Sequence, residues 1–265
     1  MRQHFTFTCA GETLAGTLDD AQFDTGLMIV SGGNEVRAGA FSGQAQLAAR
    51  VAANGFPVLR YDRRGVGDSS GKNQGFRGSF ADIAAALSAF HEQRPGLRRV
   101  VAFGNCDAAA ALMLAGGAGL SALILANPWT IEGDDTAPPP AAIRARYADK
   151  LKNPRELLRL VTGKVSLTKL ADGLVRALRP PPPPTSLAQD IAAGLARFDG
   201  PVRLLLAERD RTAQAFLATW DAADPRLAHC PGASHAFVEP AAREWLLAQL
   251  LSALEDEQAR QLDVG

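Results

Sequence analysis

Cysteine is scarce in this chain. There are three in 265 residues, Cys9, Cys106 and Cys230, and they form no CxxC pair. That excludes a disulfide framework and suits a reducing compartment, so the expected location is the cytoplasm. Net charge is also absent: Lys+Arg and Asp+Glu number 28 each. The composition therefore gives no electrostatic reason to bind nucleic acid or a membrane surface. No apolar window approaches a membrane-spanning length, and the opening residues Met1 to Thr6 hold no apolar signal core. With four histidines and no ligand-like spacing, neither a metal nor a cofactor is expected.

What is present is an alternation. Residues 5–9 and 12–18 read as an antiparallel edge hairpin, and short apolar runs follow at 27–30, 58–61, 99–103, 123–126, 202–207 and 226–229. Between them, residues 43–54, 80–93, 106–115, 213–220 and 241–254 carry helical spacing. Strands alternating with helices predict an α/β fold, a mostly parallel central sheet with helices on both faces. At 47% hydrophobic content the chain can bury a large core as one domain. Residues 129–200 break the rhythm. They hold Pro138-Pro139-Pro140, three amphipathic helical stretches (141–151, 155–160, 167–179) and then five prolines, Pro180 to Pro184. A proline run makes a stiff extended spacer, so this segment is expected to be a helical lid. The core is then 1–128 with 201–255, and 256–265 is expected as a flexible polar tail.

Chemistry concentrates at the ends of the predicted strands. The run Val100 to Phe103 enters Gly104-Asn105-Cys106-Asp107-Ala108, a strand, a very tight turn and a helix with a thiol at the apex. Such a nucleophile elbow needs small residues two before and two after the nucleophile, because strand and helix backbones nearly touch there. Helix-N-terminal amides beside the thiol would favour its thiolate. Asp210 follows the strand at 202–207, where an orienting carboxylate belongs, and His235 lies in a glycine-containing loop before the last helix. Nucleophile, acid and base thus come in the order of an esterase-type triad. Leu27 to Val30 ends in Ser31-Gly32-Gly33-Asn34, whose amides could form half of an oxyanion hole, with the Asp107 N–H as the other half. Asn34, Arg37, Asn105 and Trp129 are candidate pocket residues, while Cys9 and Cys230 read as packing residues. Gly65-x-Gly67-x-x-Ser70 has the outline of a dinucleotide loop, but more loop follows it where a helix should begin, so it reads as structural.

Asp62-x-Arg64-Gly65-x-Gly67-x-Ser69, the cysteine elbow, Asp210 and His235, in that order, resemble the α/β-hydrolase superfamily. Three further stretches (32–39, 57–62 and 104–109) are similar to the first of the two hydrolases that accompany the exosortase A system in bacterial exopolysaccharide loci. The resemblance implies an α/β-hydrolase fold, Cys106 as nucleophile, His235 as base, Asp210 as acid, and oxyanion amides at Gly33 and Asp107. The chain departs from the pattern in having cysteine for serine, Ala108 for glycine and Ser31 where many relatives have histidine. The expected reaction is hydrolysis of an ester or thioester of a small acyl substrate through an acyl-enzyme. Two alternatives stand beside it: acyl transfer to a sugar or other hydroxyl, and a non-catalytic hydrolase-fold binding protein.

Overall fold

The parity of side chains along the apolar runs divides them between two layers. In a computed structural model, which describes residues 1–117, 119–132 and 185–262, eight strands form one sheet. They are β1 (Arg2–Cys9), β2 (Glu12–Asp19), β3 (Thr25–Val30), β4 (Val58–Tyr61), β5 (Arg99–Asn105), β6 (Ala122–Ala126), β7 (Val202–Ala207) and β8 (Leu227–Cys230). Their spatial order is β1-β2-β4-β3-β5-β6-β7-β8. The β1–β2 and β2–β4 pairs are antiparallel and all others parallel. Parallel strands covered on both faces read as continuous apolar runs, which is why β6 carries no polar residue and β3 only Thr25.

The helices are α1 (Gly43–Ala53), α2 (Phe80–Gln93), α3 (Asp107–Leu114), α4 (Ser186–Leu195), α5 (Arg211–Leu217) and α6 (Pro240–Leu262). On one face Met28, Val30, Ala102, Leu123, Leu125 and Leu204 pack under α2, α3, α4 and α5. On the other, Leu27, Ile29, Val101, Phe103, Ile124 and Leu205 pack under α1 and α6. Consecutive strand residues fall on opposite faces, as the two-residue period of a strand demands.

Two elements differ from the sequence reading. Helix α6 runs through to Leu262, past the expected start of a flexible tail. Its polar end is fixed because Glu257, 1% exposed, accepts hydrogen bonds from Arg99 on β5 and Arg260. Helix α4 lies inside the stretch expected as the lid, yet it buries Leu187, Ile191 and Leu195 in the layer that covers the sheet. Gly194 makes that contact close: a Cβ there would stand 2.3 Å from the Met113 carbonyl oxygen on α3. The expected lid helices at 141–151, 155–160 and 167–179, with both proline runs, lie outside the described residues. Among the described residues, no helix is long and apolar enough to cross a membrane.

Candidate active site

The carboxyl ends of the parallel strands converge, and the sheet places ligand-facing loops there. At the end of β5 the chain reverses sharply into α3. Cys106 sits at the apex with φ 63° and ψ −125°, outside the ordinary regions for an L-residue. The turn is tight because Gly104 has no side chain: a Cβ there would stand 2.8 Å from the Ala108 carbonyl carbon and the Ala109 nitrogen. Ala108 itself is fully buried, so the helix side of the elbow admits a methyl group. Backbone bonds hold the apex from both sides: Cys106 N–H donates to Ala126 O at 2.9 Å, and Trp129 N–H donates to Cys106 O at 3.2 Å.

The thiol is half-buried, and the imidazole of His235 lies near enough to interact with it electrostatically. On the far side of the ring, His235 Nδ1 lies 3.0 Å from Asp210 Oδ1. Asp210 is 6% exposed and caps α5, its Oδ2 accepting the Ala213 N–H at 3.0 Å. That cap fixes the carboxylate while leaving Oδ1 to the histidine. The imidazolium is accordingly strongly favoured: the Asp210 hydrogen bond first, and the Cys106 contact second, raise the His235 pKa to about 10. The fold therefore brings together the three residues expected to form a relay, with His235 3.0 Å from Asp210 and beside Cys106. The other two thiols are different in kind. Burial pushes Cys9 up to about 11 and also raises Cys230, which keeps both protonated and unreactive.

The expected oxyanion loop is close to the elbow but engaged. Gly33 N–H donates to both carboxylate oxygens of Asp107, at 2.7 and 2.8 Å. Gly32 leaves room for that carboxylate, since a Cβ would stand 2.3 Å from Asp107 Oδ1 and push it away. Behind it lies Arg63, 2% exposed, which donates to Gly33 O and stands 3.9 Å from Asp107 Oδ2. In this arrangement the Gly33 amide is not free for a substrate oxygen; its place is held by the chain's own carboxylate.

The candidate pocket residues divide. Asn105 and Trp129 belong to the elbow, Asn105 through its side chain and Trp129 through its backbone. Arg37 is instead engaged with the β4 loop: its guanidinium pairs with Asp62 and with Asp68 at 2.8 Å and donates to Thr17 at 3.1 Å. Asn34 accepts from Asn73 at 2.8 Å on the surface. The glycine-rich segment after β4 is a structural knot around Asp62, which is fully buried and accepts from the backbones of Arg37 and Asp68. Gly67 packs on that carboxylate, with no room for a Cβ. Sequence reasoning passed over Asn127 and Arg63. Asn127 does carry a signal, a polar residue directly after the wholly apolar β6.

Comparison with known proteins agrees with this architecture. The model of the alpha/beta hydrolase family matches residues 27–249. No curated protein matches the sequence. Among solved structures, the α/β hydrolase GrgF from Penicillium sp. sh18 is 18% identical with a TM-score of 0.65, covering 98% of this chain and 99% of that one. The Pyrococcus furiosus esterase Pf2001 is 12% identical with a TM-score of 0.61, covering 97% and 91%. A proline iminopeptidase of Mycobacterium smegmatis is 16% identical with a TM-score of 0.59, covering 98% and 100%. At such identities the likeness is one of fold.

Proposed function

Because the chain belongs to the alpha/beta hydrolase family, we propose that it hydrolyses an ester or thioester of a small acyl substrate, with Cys106 as nucleophile. The observation that carries this reading is the series Cys106–His235–Asp210, with the thiol presented on a turn of positive φ. His235 takes the Cys106 proton, either during the attack or beforehand to leave a thiolate–imidazolium pair, and its raised pKa favours the imidazolium in both. The sulfur attacks the acyl carbonyl and a tetrahedral oxyanion forms. The Asp107 N–H, at the start of α3, stabilises it, joined by the Gly33 N–H once the Asp107 carboxylate has moved away. One such donor contributes about 3–4 kcal/mol of transition-state stabilisation. Imidazolium then gives its proton to the leaving alkoxide or thiolate. Water attacks the resulting thioester, His235 takes the water's proton, and the carboxylic acid departs as the thiolate is restored. A thiolate is a better leaving group than an amine, so esters, thioesters and lactones are the substrates rather than amides. The motif resemblance to the exosortase-associated hydrolases makes acyl groups linked to exopolysaccharide the first natural candidates.

A second reading, a non-catalytic binding protein on the same fold, draws on the Asp107 carboxylate over Gly33. Intact-mass spectrometry separates the two. Wild type and Cys106→Ala are incubated with p-nitrophenyl esters and acyl thioesters of increasing chain length. The expected result is an acyl adduct on wild type alone and turnover reduced at least a thousandfold in the variant, by analogy with loss of other catalytic nucleophiles. Turnover in Cys106→Ala within a few-fold of wild type overturns the assignment; no adduct and no turnover on any ester favours the binding protein. Added sugar hydroxyls that receive the acyl group in place of water would mark the chain as an acyltransferase.

A further inference from the structure

One buried side chain touches all three branches of the proposed relay. Asn127 follows β6 directly, is 0% exposed and adopts φ 45°. Its Oδ1 accepts the N–H of Ala207 at 2.8 Å, at the end of the strand that leads to Asp210. Its Nδ2 donates to Asn105 Oδ1 at 2.9 Å, on the residue before Cys106, and to the carbonyl of His235 at 3.1 Å. Asn105 Nδ2 donates to that same carbonyl at 3.0 Å. The backbone partners dictate the amide's orientation, since Ala207 N–H requires an acceptor and the His235 carbonyl a donor. Aspartate has no donor, leucine has neither function, and glutamine is a methylene too long. Asparagine also tolerates the left-handed backbone that a β-branched or bulky residue resists.

We propose that Asn127, with Asn105, is a positioning residue that fixes the His235 loop over Cys106 and ties it to the strand end bearing Asp210. The proposal rests on the Cys106–His235–Asp210 reading. Two amide donors on one carbonyl restrain the histidine backbone in addition to the bonds its own loop makes, such as Phe237 N–H to Ser234 O at 3.0 Å. The β5 and β7 ends are held in register with it through a single amide. The charged groups around the pair are elsewhere and are not altered by substitution at 127. Asp210 stands on the ring, Asp107 and Arg63 lie across the elbow, Glu239 accepts from Ser234 N–H at 3.1 Å, and Glu208 accepts from Gly232 N–H at 3.2 Å.

The readout is the rate at which iodoacetamide alkylates Cys106, followed by peptide mass across pH 5 to 10, with a thermal melt in parallel. Alkylation reports the thiolate and needs no oxyanion hole. Asn127→Gly keeps the backbone freedom and removes every side-chain bond. The expected result is an alkylation midpoint moved upward and a rate at neutral pH lower by about tenfold. Asn105→Ala removes one donor at a less buried position and shifts the midpoint the same way by a smaller amount. Val51→Ala, on the buried face of α1, lowers the melting temperature and leaves the midpoint in place. A lower melting temperature with an unmoved midpoint in Asn127→Gly overturns the proposal. If that variant does not fold, an unmoved midpoint in Asn105→Ala overturns it instead. His235→Ala separates the role of the imidazole from that of the two asparagines. A shift there, without one at 127 or 105, removes only the positioning role. No shift there removes the relay reading and the proposal together.

Discussion

At the scale of single residues, the elbow turns on what Gly104 lacks. The alanine two residues beyond the cysteine is accepted, because Ala108 is buried in space the structure provides. The glycine two residues before it faces backbone atoms that cannot retreat without unwinding the first turn of α3. Gly104→Ala is therefore expected to destabilise the fold by about 1–3 kcal/mol, the usual range for overpacking a rigid core, and to disorder the thiol. Urea unfolding measures the first effect. Slower alkylation of Cys106 in the still-folded fraction measures the second. A variant as stable and as reactive as wild type would show that the close approach is not what holds Cys106 at its positive φ. This part of the site was legible in the sequence because the constraint is local, a matter of which side chains fit within five consecutive residues. Asn127 was not legible in the same way. Its three partners lie 22, 80 and 108 positions away, and only the parallel sheet brings their strand ends together.

At the scale of elements, the loop after β3 and the first turn of α3 meet through a carboxylate. Alternation of apolar runs and helical spacing located both elements, and their placement at one end of a parallel sheet follows from that pattern. That Asp107 turns back onto Gly33 does not follow from it, since the backbone amide of Asp107 was the group expected to matter. Buried Arg63 explains the preference: it donates to the Gly33 carbonyl and its positive charge lies near the carboxylate. If the Gly33 amide completes the oxyanion hole, removal of the carboxylate should help acylation. Asp107→Ala is expected to raise the rate of Cys106 acylation by p-nitrophenyl acetate several-fold, while alkylation by iodoacetamide changes little. Stopped-flow release of p-nitrophenol against the alkylation rate makes the comparison. Acylation that falls tenfold or more would instead make the carboxylate a strut for the Gly32–Gly33 loop. The same distinction between local and distant causes explains α6. Its last turns are too polar to announce a packed helix, and they are ordered by an ion pair between buried Glu257 and partly exposed Arg99, 158 residues apart.

At the scale of the whole molecule, His235, Cys9 and Tyr61 are all shifted upward by the fold, and stability should depend on pH accordingly. His235 is raised to about 10 in the fold, from about 6.5 in the unfolded chain. Between those values the folded protein binds the proton and the unfolded chain releases it, so stability falls as pH rises. The contribution is complete below about pH 6.5 and is lost as pH passes through about 10. Because the imidazole is nearly half exposed, solvent screens the effect. Cys9, at about 11, and the fully buried Tyr61, also raised by desolvation, extend the same slope further into the alkaline range. The expected outcome is a urea midpoint that declines from neutral pH to pH 10.5 in two parts. His235→Gln should flatten the decline between pH 6.5 and about 9 and leave the decline above about 9, where the buried thiol and phenol act. A decline of the same shape in both proteins would mean that the imidazolium is not stabilised by Asp210 and Cys106 in solution. The resting thiolate–imidazolium pair would then be lost, and His235 would have to remove the thiol's proton during the attack itself.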